Sequence, residues 1–229
     1  MSITWGALRT QIARKLNDSS MATYSADILQ DAVNDALNAF AASHTGVASD
    51  YIITGDGTTY VFDLPDDMVE SENAGIYAVE FPEQGFIYEE RYRHKVQWPS
   101  IERSTTSTPK AYVLWPVGKI SFTQVPGTGD IVTLHYVAYY TTVDDIGDVI
   151  AIPRWATEAI KCYVCAVALS AAFAKSGNIR QWNTREDSGT PEDNPLLRLS
   201  EHYMERYWQI LTQHPEPQYN QDINPEVYR

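Results

Sequence analysis

Cys162 and Cys165 form a Cys-x-x-Cys pair, the spacing that could bind a metal or run redox chemistry. A structural zinc site normally needs a second such pair or added histidines. A redox pair normally lies at a helix N-terminus, where the helix dipole lowers the thiol pKa. Here both cysteines lie inside an alanine-rich run, about two helical turns from its start. We therefore expect two small core residues. A chain with only two cysteines also fits a reducing cytoplasm.

Other catalytic patterns are weak. The five histidines are scattered without a pair at ligand spacing. Gly55-Asp56-Gly57 precedes a predicted strand and lacks the Gly-Lys-Ser/Thr of a phosphate loop. Paired carboxylates could cleave a glycosidic bond, but acidic turns on an acidic protein are usually solvated. The candidate carboxylates are Asp63, Asp66, Asp67, Glu70, Glu72, Glu89, Glu90, Asp144, Asp145 and Asp148. The sequence predicts no enzyme, no cofactor and no metal.

One basic and aromatic cluster contrasts with the acidic chain. Its residues are Arg91, Tyr92, Arg93, Lys95, Trp98 and Arg103, in and beside a predicted long loop near 93–110. Basic and aromatic residues together can bind nucleic acid. The cluster could also be the solvated tip of a hairpin, or a loop that docks another subunit or a tail protein. Trp, Tyr and Arg are enriched at interface hot spots, so docking is preferred among the three.

The element that must organise the chain is the run from Pro153 to Lys175, which predicts a helix. Pro153 suits a first helical turn, and Gly177 suits the position just past a helix end. A helix that is apolar on all sides must be buried on all sides. The run is too short to cross a bilayer, so we expect the central helix of a helical core and no membrane contact.

Three amphipathic helices are predicted to cover this central helix. The first has Arg9, Arg14 and Lys15 on its surface, Ser25 caps the second, and the third covers 196–211. Their apolar faces follow helical spacing. These faces are Trp5, Leu8, Ile12 and Leu16, then Leu29, Val33, Ala36, Leu37 and Phe40, then Leu196, Leu199, Tyr203, Tyr207 and Ile210, with Trp208 and Leu211 at the edge of the last.

Between the second helix and the central helix, short alternating strands separated by glycine and proline turns predict an antiparallel β-meander of six or seven strands. Tyr51 to Phe62 is expected to form its first hairpin. The fold class is therefore α+β, a small helical bundle of about four helices with an inserted antiparallel β-meander subdomain and an extended C-terminal tail. The predicted domains are 1–46, 47–145, 146–211 and the tail 212–229.

Composition limits the partners. The net charge of −13 makes the chain a poor binder of nucleic-acid backbone or anionic membrane. No basic segment followed by an apolar run opens the chain, so no secretory signal is expected. The tail contains three prolines and no apolar periodicity, and so we expect it to be extended when free.

Taken in order, the chain resembles the phage head–tail connector proteins of the adaptor family (gateway, or tail-tubular-A-like). The resemblance is carried by six patterns along the chain. The first two are Trp5-Gly-Ala-Leu-Arg and Tyr24-Ser-Ala-Asp-Ile-Leu, and the last is a polar tail. Between them come Ile131-Val-Thr-Leu-His-Tyr, then Ile152-Pro-Arg-Trp-Ala-Thr-Glu before the alanine-rich helix, and a last helix rich in Tyr and Glu.

The resemblance implies a structural virion protein of the neck, made in the host cytoplasm. Such adaptors form a homo-oligomeric ring, typically of twelve copies, beneath the portal protein, join capsid to tail or nozzle proteins, and let DNA pass through the lumen without sequence-specific binding. It also implies that the tail docks on the portal. The tail residues concerned are Pro215, Pro217, Tyr219, Ile223, Pro225, Val227 and Tyr228. The alternative is a tail-associated module that binds a host glycan or protein through its β subdomain, with Trp98 and Trp115 stacking on sugars.

Overall fold

The computed structural model describes residues 2–44, 46–69, 75–81, 85–89, 111–115, 118–122, 124–176 and 195–214. These residues form four helices, nine strands and two compact units. The chain passes from the first unit to the second after His44 and returns to the first at Tyr140. The first unit is mainly helical and the second consists of strands. The predicted α+β class with four helices is confirmed.

The helical unit contains α1 (Trp5–Lys15), α2 (Ala26–Ser43), α3 (Ala156–Ser176) and α4 (Pro195–Gln213). A two-stranded ladder of β1 (Ile3–Thr4) and β9 (Val149–Ile150) joins the start of α1 to the segment before α3. The first amide groups of α1 donate to this segment, from Trp5 to the Asp148 carbonyl at 2.8 Å and from Gly6 to the Ile146 carbonyl at 2.9 Å. The ladder thus satisfies backbone donors that a helix N-terminus leaves unpaired.

The predicted apolar face of α2 is confirmed, because all of its residues are buried. On α1, Trp5, Leu8 and Ile12 are buried as predicted, but Leu16 is half-buried and lies just past the end of the helix. Ser25 caps α2 as predicted, since its side chain accepts a hydrogen bond from the Ile28 amide at 3.4 Å. Lys15 differs from the prediction. It is half-buried and paired, as described below, rather than free on the surface.

The central helix α3 begins at Ala156, three residues later than predicted. Pro153 instead closes a turn, in which its carbonyl accepts from the Ala156 amide at 3.0 Å. Most residues from Ala159 to Leu169 are buried, but Lys161, Tyr163 and Val167 are half-buried. Ser170, Ala171 and Ala174 are exposed, so the helix is not buried on all sides as predicted. Neither this helix nor any other in the described part of the chain is long and apolar enough to span a membrane.

The last helix, α4, shows a different buried face from the one predicted. Leu199 is 42% exposed, whereas Ser200 is buried and donates to the Ala166 carbonyl of α3 at 2.9 Å. Its hydroxyl also lies 2.7 Å from the Ser170 hydroxyl. A small hydroxyl lets the two helices approach closely, and its hydrogen bonds offset the cost of burial. Tyr207, Ile210 and Leu211 complete the buried face.

The second unit contains seven strands in the order β2-β8-β4-β5-β6-β7-β3. They are β2 (Val47–Thr54), β3 (Val61–Asp63), β4 (Ile76–Phe81), β5 (Gly85–Glu89), β6 (Ala111–Trp115), β7 (Lys119–Phe122) and β8 (Ile131–Ala138). Buried side chains from five of these strands, β2, β4, β6, β7 and β8, form its core. The predicted alternation of β8 holds as far as Tyr136, since Val132, Leu134 and Tyr136 are buried, and it ends at Val137, which is buried as well.

The strand order corrects the predicted meander. β5 and β6 pair in parallel, while the other neighbours in the sheet are antiparallel. The hairpin predicted for 51–62 does not form, because β2 pairs with β8 and β3 pairs with β7. The turn at Gly55 instead binds a distant turn. The Gly55 amide donates to the Asp130 carbonyl at 2.8 Å, and the Gly55 carbonyl accepts from the Gly129 amide at 2.9 Å.

Candidate functional site

The residues proposed for docking lie outside the part of the chain that the structure describes. This holds for Arg91, Tyr92, Arg93, Lys95, Trp98 and Arg103 of the basic cluster and for Pro215, Pro217, Tyr219, Ile223, Pro225, Val227 and Tyr228 of the tail. The predicted helix end at Gly177 and the carboxylates Glu70, Glu72 and Glu90 also lie outside it, as does the side chain of Trp115. The structure does describe the chain up to His214, the residue that precedes the C-terminal segment.

The start of the C-terminal segment is held by a cluster of rings, which we call the tail root: Phe40, His44, Trp155 and His214. The Trp155 and His214 rings stack with centroids 4.2 Å apart. The His44 ring stacks on Phe40 at 5.4 Å and meets the edge of Trp155 at 4.9 Å. His44 Nε2 donates a hydrogen bond to the His214 carbonyl, so both the ring and the backbone of His214 are held.

Three separate elements position the tail root. Phe40 belongs to the buried face of α2, and His44 caps the end of the same helix, where its amide donates to the Phe40 carbonyl at 2.9 Å. Trp155 stands in the turn before α3. His214 follows α4 directly and donates its amide to the Leu211 carbonyl at 3.0 Å. His214, the last residue that the structure describes, is therefore held in place by side-chain and backbone contacts.

A second cluster joins α1, α3 and α4 around Lys15. The Lys15 ammonium pairs with Glu158, donates to Cys162 Sγ at 3.4 Å and lies 5.2 Å from the centre of the Tyr203 ring. Burial alone would lower the pKa of Lys15, but the hydrogen bond and charge attraction of Glu158 outweigh it and raise the pKa. Burial would raise the pKa of Glu158, and its hydrogen bonds to Lys15 and Lys161 lower it instead. The cluster is a structural ion pair between helices.

This ion pair predicts a loss of stability in acid. Because the pKa of folded Glu158 lies below its unfolded value, the stabilisation is complete above the unfolded pKa and is lost as pH falls through the folded pKa. Glu158→Gln should lower the free energy of unfolding by about 0.5–1 kcal/mol at pH 7. The difference from wild type should shrink below about pH 4, measured by urea unfolding. Glu201→Gln on the exposed side of α4 is the matched control, and a gap that stays constant with pH would contradict the assignment.

The cysteines are core residues, as predicted. Both are free and buried. Burial raises the pKa of the Cys162 thiol despite the nearby Lys15, and it raises the pKa of the Cys165 thiol to about 12. Thiols held in this protonated form are poor nucleophiles and poor metal ligands. Among the described residues, no group of three or more His, Cys, Asp or Glu side chains could hold a metal ion.

Several of the candidate carboxylates have structural partners. Asp63 pairs with Lys119 across β3 and β7. Asp67 accepts a hydrogen bond from the Tyr136 hydroxyl at 2.8 Å. Asp148 accepts from the amides of Asp144 and Asp145 at 2.7 and 2.8 Å, which lowers the pKa of its carboxyl group. These contacts explain the three acids as turn and strand supports rather than as a catalytic pair.

In the strand unit, a histidine between two carboxylates joins three strands on one face of the sheet. His135 of β8 lies 2.6 Å from Asp50 of β2 through Nδ1 and 3.3 Å from Glu80 of β4 through Nε2. On the same face, Ile52 is 62% exposed and Ile131 is 45% exposed. The face therefore combines exposed aliphatic side chains with a charged and hydrogen-bonded group.

Sequence reasoning missed the tail root and the His135 group. Their members come from positions far apart in the chain, such as His44, Trp155 and His214, and no local spacing links them. The one local signal in the sequence was Trp155, an aromatic residue just before the alanine-rich helix.

Comparison with known proteins supports an adaptor. The family described as SU10 adaptor protein matches residues 3–189, which include α1, α2, all nine strands and α3. The match ends before α4 and the tail root residue His214. No curated protein matches the chain significantly. Because the family match covers most of the chain, this protein belongs to the SU10 adaptor protein family and is a structural adaptor protein of a bacteriophage virion.

Proposed function

We propose that this protein is the head-to-tail adaptor of the phage neck and belongs to the gateway, or tail-tubular-A-like, kind. It assembles in the host cytoplasm into a homo-oligomeric ring, typically of twelve copies, beneath the portal protein. The ring joins the capsid to the tail or nozzle proteins, and the genome passes through its lumen. The protein catalyses no reaction in this role. A closed ring needs two different faces on each subunit, one for each neighbour.

The observation that carries this proposal is the tail root. A free segment that binds a partner loses conformational entropy on ordering. Fixing its first residue through His44 and Trp155 reduces the freedom of the segment near its origin and holds it close to the bundle. Fifteen extended residues span at most about 50 Å, so the portal site must lie within that distance of His214. When the same contact is repeated around a ring, avidity strengthens the binding although each copy makes no additional kind of contact.

The charge of the protein suits DNA passage. A net charge of −13 on each copy gives a ring that repels phosphates, so a duplex can slide without sticking to the wall. The basic cluster at 91–103 is then assigned to a neighbouring subunit or a tail protein rather than to DNA.

The test is co-sedimentation with the portal ring from the same genome, followed by electron microscopy of the bound fraction. We expect a ring of added density at one end of the portal. Failure of folded protein with an intact C-terminus to bind the portal would contradict the proposal.

A second candidate is supported by the exposed sheet face. Ile52, Ile131 and the Tyr77 ring, whose centroid lies 6.1 Å from that of His135, give this face apolar and aromatic contact area. In this alternative, the protein is a tail-associated module that binds a host glycan or protein through the strand unit. A monomer with glycan affinity and no portal affinity would favour it.

A further inference from the structure

One side of the sheet in the strand unit carries two carboxylates and two exposed isoleucines. We call this side the acidic face, and its residues are Asp50 and Ile52 of β2, Glu80 of β4, and Ile131 and His135 of β8. Directly opposite residues of paired strands share one side, and so do alternate residues along a strand. Asp50 lies opposite His135, while Ile52 and Glu80 both lie opposite Thr133. The sequences of these three strands contain no lysine or arginine.

The acidic face is accessible in spite of its internal contacts. The carboxylates of Asp50 and Glu80 flank the His135 ring, but their side chains are 64% and 44% exposed. Each carboxylate can accept further hydrogen bonds. Ile52, which is 62% exposed, is the most exposed large hydrophobic residue in the described part of the chain, and Ile131 lies diagonally across the β2–β8 pair from it. Because two carboxylates outnumber one histidine, the face is negative in either protonation state of His135.

The cations of the strand unit are concentrated in one segment, residues 90–110 between β5 and β6. This basic segment contains five lysines and arginines and two glutamates, together with Tyr92 and Trp98. Outside it, Lys119 is the one lysine or arginine between residues 45 and 139, and it pairs with Asp63. Arginine, tyrosine and tryptophan are enriched at interface hot spots. The basic segment is therefore complementary to the acidic face in charge, and its aromatic rings can cover the exposed isoleucines.

The position of its two ends gives the basic segment a long reach. β5 ends at Glu89, β6 begins at Ala111, and the parallel β5–β6 pair places Ala111 opposite Tyr88. Since paired strands lie about 5 Å apart, the segment starts and finishes at nearly the same point. Its middle residues can therefore extend at most about 35 Å from the sheet. These middle residues include Lys95, Trp98 and Arg103.

We propose that the basic segment of one copy docks on the acidic face of the next copy in the ring. This inference rests on the proposed ring, and it names the surface that receives the segment. A closed ring requires two different surfaces on each copy, and the segment and the face are two such surfaces. Lys95 and Arg103 pair with the carboxylates of Asp50 and Glu80, and the Trp98 ring covers the isoleucines. Opposite charges also steer neighbouring copies into this orientation as the ring assembles.

The geometry favours the face of a neighbour over the face of the same copy. β5 runs antiparallel to β4, from the level of Glu80 towards that of Tyr77, and the basic segment leaves the sheet at this end. On β8, Ile131 lies about 15 Å back towards the opposite end. The segment must therefore reverse its direction to reach Ile131 of its own copy. A segment that arrives from a neighbouring copy has no such constraint.

A disulfide between copies is the most direct test, in the full-length chain on the portal ring. Thr54→Cys places a thiol on the acidic face, and Ser100→Cys places one in the middle of the basic segment. A mixture of the two variants should give a covalent dimer after mild oxidation, with a yield at least about tenfold above that of either variant alone. The native Cys162 and Cys165 are buried and do not compete. Val149→Cys, at a 60% exposed position of the helical unit, replaces Thr54→Cys as the matched control and should give no such dimer.

Charge reversal tests the same contact without a cross-link. Asp50→Lys with Glu80→Lys reverses the face, and Lys95→Glu with Arg103→Glu reverses the segment. We expect each double variant to occupy the portal ring at least about tenfold less than wild type, because neighbouring copies no longer support one another. The fourfold variant should return to within about threefold of wild type, because opposite charges meet again.

Two controls accompany the charge variants. Asp66→Lys with Asp144→Lys makes the same change of charge at two exposed positions outside the acidic face and should bind like wild type. Melting curves identify any variant that fails to fold. Because His135 contacts both carboxylates, Asp50→Asn with Glu80→Gln then replaces the lysine pair, and this neutral pair should lower occupancy by about threefold.

The possible failures are distinguishable. If wild-type protein does not bind the portal, the proposed function fails. If wild type binds but the mixture gives no dimer, or if both charge reversals bind as well as wild type, the docking is overturned while the adaptor function stands. A disulfide that forms only within one chain, in Thr54→Cys with Ser100→Cys, would assign the face to the segment of the same copy and would overturn the inference. Reversed segments that still form rings but lose a tail protein would overturn it as well.

Discussion

Ending the chain after His214 is expected to lower the affinity for the portal by at least about 100-fold while the melting temperature stays within about 2 °C of wild type. The removed residues contain three prolines and no apolar periodicity, so they cannot supply a core. The cut keeps α4, which runs to Gln213, and the tail root. A cut at Thr212, the predicted start of the tail, would instead remove the end of this helix and His214.

A scrambled tail of the same composition is the control for this truncation, because it preserves length and charge. It should bind as poorly as the truncated protein. A free peptide of residues 215–229 should compete with the full-length protein for the portal, at a concentration well above that of the tethered tail. Undiminished portal binding by the truncated protein would exclude the tail as the docking segment.

The helical faces were predictable where hydrophobic periodicity is strong. Trp5, Leu8 and Ile12 repeat at three- and four-residue steps, as do Leu29, Val33, Ala36 and Phe40, and packing follows that period. The face of α4 was not predictable at Leu199 and Ser200. Hydrophobicity favours burial of leucine over serine, but close approach to Ala166 of α3 admits only a small side chain there. The residue that lies at a close helix contact is decided by the partner helix. The sequence of one helix alone therefore does not identify that residue.

The strands were predictable and their partners were not. The alternation of apolar and polar residues in β8 is a local signal. The pairing of β8 with β2 instead joins Val47 to Ala138, two residues far apart in the sequence. The glycine-rich turn at Gly55 favours a hairpin locally. The amide and carbonyl of Gly55 instead bind the turn before β8, because these hydrogen bonds extend the β2–β8 ladder beyond its last pair, Thr54 with Ile131. Non-local hydrogen bonds thus override a local turn preference.

The family resemblance was accessible from the order of elements, but the tail root was not, because aromatic contacts leave no spacing in sequence. The tail root also predicts a large loss of stability when its tryptophan is removed. Trp155→Ala should lower the free energy of unfolding by about 2–3 kcal/mol, less than for a fully buried tryptophan, because the ring is half-buried. It removes the stacking partner of His214 and an edge contact to both Phe40 and His44.

Trp155→Ala should also weaken portal binding by about tenfold when binding is measured well below the melting temperature. The tail would then start from a mobile His214 and lose its fixed origin. Hydrogen exchange at the His214 amide, which donates to the Leu211 carbonyl, reports that release directly. Trp208→Ala is the matched control, since Trp208 is 52% exposed on the neighbouring helix and lies outside the tail root. Faster exchange with unchanged portal affinity would show that the tail root stabilises the bundle without positioning the tail. Loss of affinity in Trp155→Ala but not in Trp208→Ala would assign the positioning role to this cluster.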